Sequence, residues 1–103
     1  MELSEATNCA DRLRVLADET RLMVVKQLMQ GPKHVGEINA VMNVESTLLS
    51  HHLKVLRVAG LVLSQRDGKA VLYQLAPGVG ALGDDRAVNL GCCVLSFEDQ
   101  QGS

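Results

Sequence analysis

At 103 residues the chain has the length of one domain, and its formal net charge of −2 supplies no overall attraction to nucleic acid. Hydrophobic residues make up 47% but include one Phe, one Tyr and no Trp, which favours packed helices of Leu, Val, Ala and Met over an aromatic-rich sandwich. No apolar run approaches the roughly 20 residues that span a bilayer, and the N-terminus has no signal-peptide pattern, so a cytoplasmic protein with no membrane partner is expected.

From about Leu3 to Ala17, residues Ala6, Cys9, Ala10, Leu13, Leu16 and Ala17 recur at helical spacing and predict a first helix. Asp18 is a candidate cap for a second helix, which presents Leu22, Val25, Leu28 and Met29 on one side and stops at Gly31-Pro32. Val35, Ile38, Val41 and Met42 mark a short third helix. Asn43-Val44-Glu45 is a tight turn, and Ser46 is the expected N-cap of a fourth helix with Leu49, Leu53 and Leu56 as its buried stripe. After Gly60 the pattern changes to period two, Leu61 to Arg66 and then Ala70 to Leu75, with Asp67-Gly68 between them as a hairpin signal. Ala76-Pro77-Gly78 ends the hairpin. Glycines at 78, 80, 83 and 91 confine an expected last helix to about Leu82 to Phe97.

A short helix presenting Ser, His and Lys, trailed by a hairpin, suits the DNA major groove. The fold expected is mainly α with one β-hairpin: a winged helix-turn-helix domain over 1–103, with the helix-turn-helix at 35–59 and the wing at 61–75. Charge distribution supports this reading. Between Ser46 and Tyr73 lie Lys54, Arg57, Arg66 and Lys69 against the single acid Asp67, a local balance of +3. The acids gather elsewhere, as Glu2, Glu5 and Asp11 and again as Asp84, Asp85, Glu98 and Asp99. The field near the contact decides affinity for phosphate, whatever the global charge.

Ser46, Thr47, Ser50 and His51 are therefore candidates for hydrogen bonds to base edges or phosphates, and Lys54 and Arg57 for phosphates. Gln65, Arg66 and Lys69 at the hairpin tip could reach the adjacent minor groove or backbone. The plainer alternative makes Lys54 and Arg57 an ordinary solvated helix face. His52, one turn from Leu49 and beside Leu53 and Leu56, reads as a core-edge histidine. Leu48 could meet a thymine methyl or pack on the hairpin, and Tyr73 reads as hairpin packing. No Gly-rich phosphate loop, nucleophile with a positioned base, or catalytic metal set is present, so an enzyme is not expected.

Three blocks carry a family resemblance. Leu16-Ala17-Asp18-Glu19-Thr20-Arg21-Leu22 resembles the L-A-D-x-T-R-L opening of the second helix in ArsR-type (ArsR/SmtB) transcriptional repressors. Leu49-Ser50-His51-His52-Leu53-Lys54-Val55-Leu56-Arg57 resembles their V-S-x-H-L-K-x-L-R recognition helix. Ala59-Gly60-Leu61-Val62, with Arg66-Asp67-Gly68-Lys69 and Tyr73-Gln74-Leu75, looks like their wing. The match runs from about Cys9 to Pro77. It implies a homodimer joined through the first and last helices, with two recognition helices in successive major grooves of a palindromic operator. It also implies release from DNA by a metal or redox signal. A winged helix that only dimerises or binds another protein, with no sensing role, is the alternative.

Two metal sites known in that family have no counterpart. His34 and Gly36 stand where the Cys-x-Cys pair before the third helix would be, and no histidine follows His52 to build the Asp-x-His and His-x-x-Glu set of the last helix. No metal site is assigned with certainty. Cys9 on the first helix and Cys92-Cys93 in the last are left as sensing candidates. If those helices meet, within or across chains, three thiolates would suit arsenite, antimonite or a soft metal ion. The same three could form a disulfide under oxidant or persulfide stress. Neighbouring helical residues point about 100° apart, so Cys92 and Cys93 could share one ion only if the helix unwound, which Gly91 would ease. The alternative is that the cysteines are small buried hydrophobes.

Overall fold

The computed structural model describes residues 3–97, with side chains from Cys9 onward. The side chains of Glu5 and Ala6, and residues Glu2, Glu98 and Asp99, lie outside the described residues. In chain order the elements are α1 (Leu3–Val15), α2 (Glu19–Leu28), β1 (Lys33–His34), α3 (Val35–Met42), α4 (Ser46–Val58), β2 (Val62–Asp67) and β3 (Ala70–Leu75), followed by β4 (Gly80–Leu82), β5 (Ala87–Asn89) and β6 (Val94–Ser96). Among the described residues no helix is long and apolar enough to cross a membrane.

Helix α2 begins where Asp18, in extended conformation, accepts the Arg21 backbone N–H at 3.0 Å. The turn between α3 and α4 is locked from within. Asn43 takes the left-handed conformation at φ 55, while the Asn39 amide donates to the Val44 carbonyl at 2.9 Å and accepts the Val44 N–H at 2.8 Å. Ser46 is not the cap of α4. Glu45 occupies that position, its carboxylate accepting the Leu48 N–H at 3.0 Å, and Ser46 is the first helical residue. The longer acidic side chain also places a negative charge at the positive end of the helix dipole. Hydrogen bonds from the Leu48 and then the Thr47 backbone N–H hold the Glu45 carboxyl below its ordinary pKa.

At its other end α4 closes in a Schellman motif. Leu61 N–H reaches the Leu56 carbonyl and Gly60 N–H the Arg57 carbonyl, both at 3.0 Å, around Gly60 at φ 81. The chain then enters the β2–β3 hairpin, in which Asp67 pairs with Ala70 across Gly68 and Lys69. Gly68, at φ 65, takes the positive φ that such a two-residue turn demands at its first position. Strand β1 adds to the far side of β3, giving the sheet order β1-β3-β2. This arrangement is a winged helix-turn-helix, with α3 and α4 as the two helices and β2–β3 as the wing.

Leu49, Leu53 and Leu56 of α4 meet Val24 and Val25 of α2 and Ile38 of α3 in one core, each at most 1% exposed. Burying each leucine contributes about 1.5–3 kcal/mol.

The expected last helix over Leu82 to Phe97 is absent. The segment forms a second antiparallel sheet, β4-β5-β6, and with it goes the expected dimer contact between first and last helices in that form. Gly83 at φ 59, Asp85 at φ 61 and Gly91 at φ 93 each reverse the backbone hand at points no α-helix could absorb. Val88 and Leu90 are both fully buried two residues apart, and both join the main core. Period two, not 3.6, governs this segment.

Candidate nucleic-acid interface and thiol cluster

The buried stripe of α4 fixes which residues face outward. Ser46, Thr47, Ser50, His51, Lys54 and Arg57 are all exposed, and so are Gln65, Arg66 and Lys69 on the hairpin. Leu48 is also exposed. His52 is the exception on this helix, buried at its inner edge. Its Nδ1 lies 3.0 Å from Arg21 Nη1, and Arg21 Nε donates to the Val15 carbonyl at 2.7 Å. Because a guanidinium only donates, His52 Nδ1 is the acceptor and its ring proton belongs on Nε2. Arg21 thus joins the end of α1, the start of α2 and the inner face of α4.

The wing is strapped to α3. His34 Nε2 lies 2.7 Å from an Asp67 carboxylate oxygen at the end of β2, and His34 Nδ1 lies 3.2 Å from Glu37. Glu37 also accepts the His34 backbone N–H at 2.7 Å, the reciprocal bond of a capping box. The hydrogen bond to Asp67, then that to Glu37, raises the His34 pKa, while the His34 backbone N–H foremost lowers that of Glu37. The sequence showed His34 only as a residue standing in a missing cysteine position. The His-x-x-Glu spacing at a helix start was the available signal for its capping role.

The three cysteines converge within one chain. Cys9 on α1 is joined to Cys92 by a disulfide with a Cα–Cα separation of 5.7 Å. Cys93 Sγ lies 3.6 Å from Cys9 Sγ and 3.9 Å from Cys92 Sγ. All three sulfurs fall within 4.8 Å of one another. Cys92 is exposed, and Cys9 and Cys93 are half-buried. Cys92 and Cys93 sit in the turn between β5 and β6 rather than on a helix, so the 100° divergence expected of helical neighbours does not arise. Gly91 begins that turn with its positive φ.

Arg12 is a residue the sequence reading passed over. One turn beyond Cys9 on α1, it donates through Nη1 to the Leu90 carbonyl at 2.5 Å and through Nε to the Ala59 carbonyl at 3.3 Å. An arginine at i+3 from Cys9, on the apolar side of the first helix, was the only signal for it.

The model of the arsR family of bacterial regulatory proteins matches residues 18–64, from the cap of α2 into β2. The transcriptional repressor SmtB of Mycobacterium tuberculosis is 42% identical over 64 residues, covering 62% of this chain and 47% of that protein. Among solved structures, HlyU from Vibrio cholerae is 30% identical with a TM-score of 0.69, over 74% of this chain and 82% of that one. HlyU has also been solved in its reduced form. The homodimeric winged helix-turn-helix domain of Mb0332 from Mycobacterium bovis, a possible ArsR-family transcriptional regulator, is 30% identical with a TM-score of 0.65, over 69% of this chain and 66% of that one. The chain spans between 47% and 62% of the length of the first curated relatives it matches.

Proposed function

Since the chain belongs to the ArsR family of bacterial regulatory proteins, we propose that it is a DNA-binding transcriptional repressor that works as a homodimer and lets go of its operator through thiol chemistry. Helix α4 enters the major groove of a palindromic half-site. Ser46, Thr47, Ser50 and His51 contact base edges or phosphates, and Lys54 and Arg57 contact phosphates. Gln65, Arg66 and Lys69 of the wing follow the neighbouring backbone or minor groove. The homodimeric state of the Mb0332 domain supports the dimer. With no closing helix among the described residues, α1, whose Leu13 is 44% exposed, is the face offered to a second copy.

The single observation that carries the switch is the convergence of three sulfurs within 4.8 Å. In the reduced protein the Cys9 and Cys92 thiols release two protons and two electrons as the S–S bond forms. A hydroperoxide accepts both and leaves as an alcohol and water. The exposure of Cys92 gives such an oxidant access. A second reading rests on the same cluster: with all three thiols reduced, Cys9, Cys92 and Cys93 form a soft three-sulfur donor set suited to arsenite, antimonite or a soft metal ion as inducer.

Fluorescence anisotropy on DNA from the gene's own upstream region tests both. Reduced protein is expected to bind tightly and steeply with salt. Lys54→Ala should lower the salt slope by about 1, and Lys54→Glu should weaken binding by roughly tenfold or more. Wild-type affinity in both variants would remove α4 from the groove. Peroxide or arsenite should release the parent but not a Cys92→Ser/Cys93→Ser variant, and the reagent that acts names the signal. Binding indifferent to both would leave the cysteines as packing residues.

A further inference from the structure

One side chain links the turn of the thiol cluster to the end of the reading helix. Arg12 follows Cys9 by three residues on α1, so the two lie on the same side of that helix. Its guanidinium is held by two carbonyls from two other elements. Leu90, bonded to Nη1 at 2.5 Å, immediately precedes the Gly91-Cys92-Cys93 turn. Ala59, bonded to Nε at 3.3 Å, is the C-cap of α4. A helix C-terminus carries negative partial charge, so a cation there is doubly favoured.

Two glycines leave room for this contact. A Cβ on Gly91 would stand 2.8 Å from Arg12 Nη1, and one on Gly60 would stand 3.0 Å from Nη2. Each glycine directly follows the residue whose carbonyl Arg12 holds, and each has a positive φ, 93 and 81 respectively. The guanidinium is thus seated in a slot formed by the turn that carries the sensing cysteines and the end of the helix that carries the DNA contacts.

We infer that Arg12 is the positioning residue that transmits the state of the Cys9–Cys92 pair to α4. The inference rests on the thiol-switched repressor reading above. The disulfide fixes α1 against the β5–β6 turn, and Arg12, one turn along α1, then sets the α4 C-terminus relative to that turn. Opening the disulfide removes the covalent restraint on α1, and the Arg12 fork carries the resulting adjustment to the reading helix. Arginine suits the task because its planar fork holds two acceptors in a fixed relation, whereas a lysine ammonium on its flexible stem does not. Coupling of this kind is a free energy shared between two sites, so it works in both directions: what the disulfide does to DNA affinity, DNA must do to the disulfide.

The test uses the full chain as parent, Arg12→Gln and Arg12→Lys, each fully reduced or peroxide-oxidised, with disulfide formation checked by thiol alkylation and mass spectrometry. The readout is the ratio of oxidised to reduced operator Kd. The parent should show a ratio of about ten or more, within the usual range of allosteric coupling. Operator DNA should shift its thiol–disulfide midpoint by about 30 mV for each tenfold of that ratio. Both Arg12 variants should form the disulfide and bind operator when reduced, with a ratio near one and no DNA-induced shift. A merely structural Arg12 would lower the melting temperature of both redox states and leave the ratio intact, which would overturn the inference. If Arg12→Gln does not fold, Arg12→Lys, which keeps the charge but not the fork, decides by the same ratio. A parent ratio of one would sink the thiol-switch reading itself. A large parent ratio that survives in the variants would sink only the role of Arg12.

Discussion

Single polar side chains do much of the positioning in this small protein. Asp18 accepts the Arg21 N–H, one of the unpaired donors in the first turn of α2, and that bond, ahead of the guanidinium's charge, holds its carboxyl below the ordinary value. Replacing it by alanine should cost about 1 kcal/mol, within the usual range for a lost N-cap, read as a lower urea midpoint with unchanged m-value. A depressed pKa sets the direction of the pH effect. The contribution of Asp18 is present above its unfolded pKa and fades as pH falls through the lower folded value. The difference in stability between parent and Asp18→Ala should therefore narrow in acid, and a constant difference down to the lowest pH tested would show that the carboxylate charge plays no part. Arg21 turns the same corner into a junction, because its guanidinium also reaches His52 and the Val15 carbonyl.

Among the elements, the wing is set by more than its strand pairing. The strap from His34 to Asp67 fixes the hairpin end against the start of α3, beside Glu37 on the same imidazole. A raised histidine pKa means the strap contributes fully below the unfolded value near 6.5 and is lost as pH rises through the higher folded value. In an NMR titration, the Asp67 and Leu72 amide shifts should follow the His34 imidazole on one curve in the parent, and should stay flat over that range in His34→Asn. Independent curves would mean that the wing does not feel His34.

The four helices and the β2–β3 hairpin were legible because each has a strong local signature: Asp18 before a helical stripe, Gly31-Pro32 as a stop, Leu49, Leu53 and Leu56 at one face, and Asp67-Gly68 between alternating runs; the two-residue β1 was not read, being too short to show a period. The final segment was misread because hydrophobic residues and one preceding helix suggested a closing helix there. Val88 and Leu90 already alternated with polar or small neighbours, and Gly83-Asp84-Asp85 already formed a turn signal. A three-residue strand is too short for its period to outweigh that expectation. The outward residues of α4 could be named because the leucine stripe dictates them. The approach of Cys9 to Cys92 and Cys93 was raised only on the condition that a last helix met the first, and the place of Arg12 beside them was not raised at all, since both depend on how a second sheet folds back on the first helix.

For the whole molecule, the largest covalent constraint is the Cys9–Cys92 bond, which spans a sequence separation of 83. Closing a loop of that size stabilises a chain by about 4.5 kcal/mol in the loop-entropy description. Oxidised parent should therefore melt roughly 20 °C above reduced parent, and Cys92→Ser/Cys93→Ser, which leaves Cys9 no partner in the turn, should melt with the reduced form under both conditions. Coincident melting of oxidised parent and that double variant would show that no such loop closes in solution. The charge layout also matters at this scale: Asp84 and Asp85 are exposed in the β4–β5 turn, outside the basic stretch formed by α4 and the wing. A chain with a net charge of −2 can in this way present a locally cationic surface to a polyanion.

The spacing of the two bonded cysteines also has a consequence in time. On a ribosome adding roughly 5–20 residues per second, Cys9 is made about 4 to 17 seconds before Cys92, and everything between them, including all of α2, α3, α4 and the wing, is translated in that interval. A half-made chain holds no Cys92 to pair with Cys9. On the thiol-switch reading proposed above, only a copy translated through to its second sheet would respond to an oxidant, and by then the surface so governed would already be built.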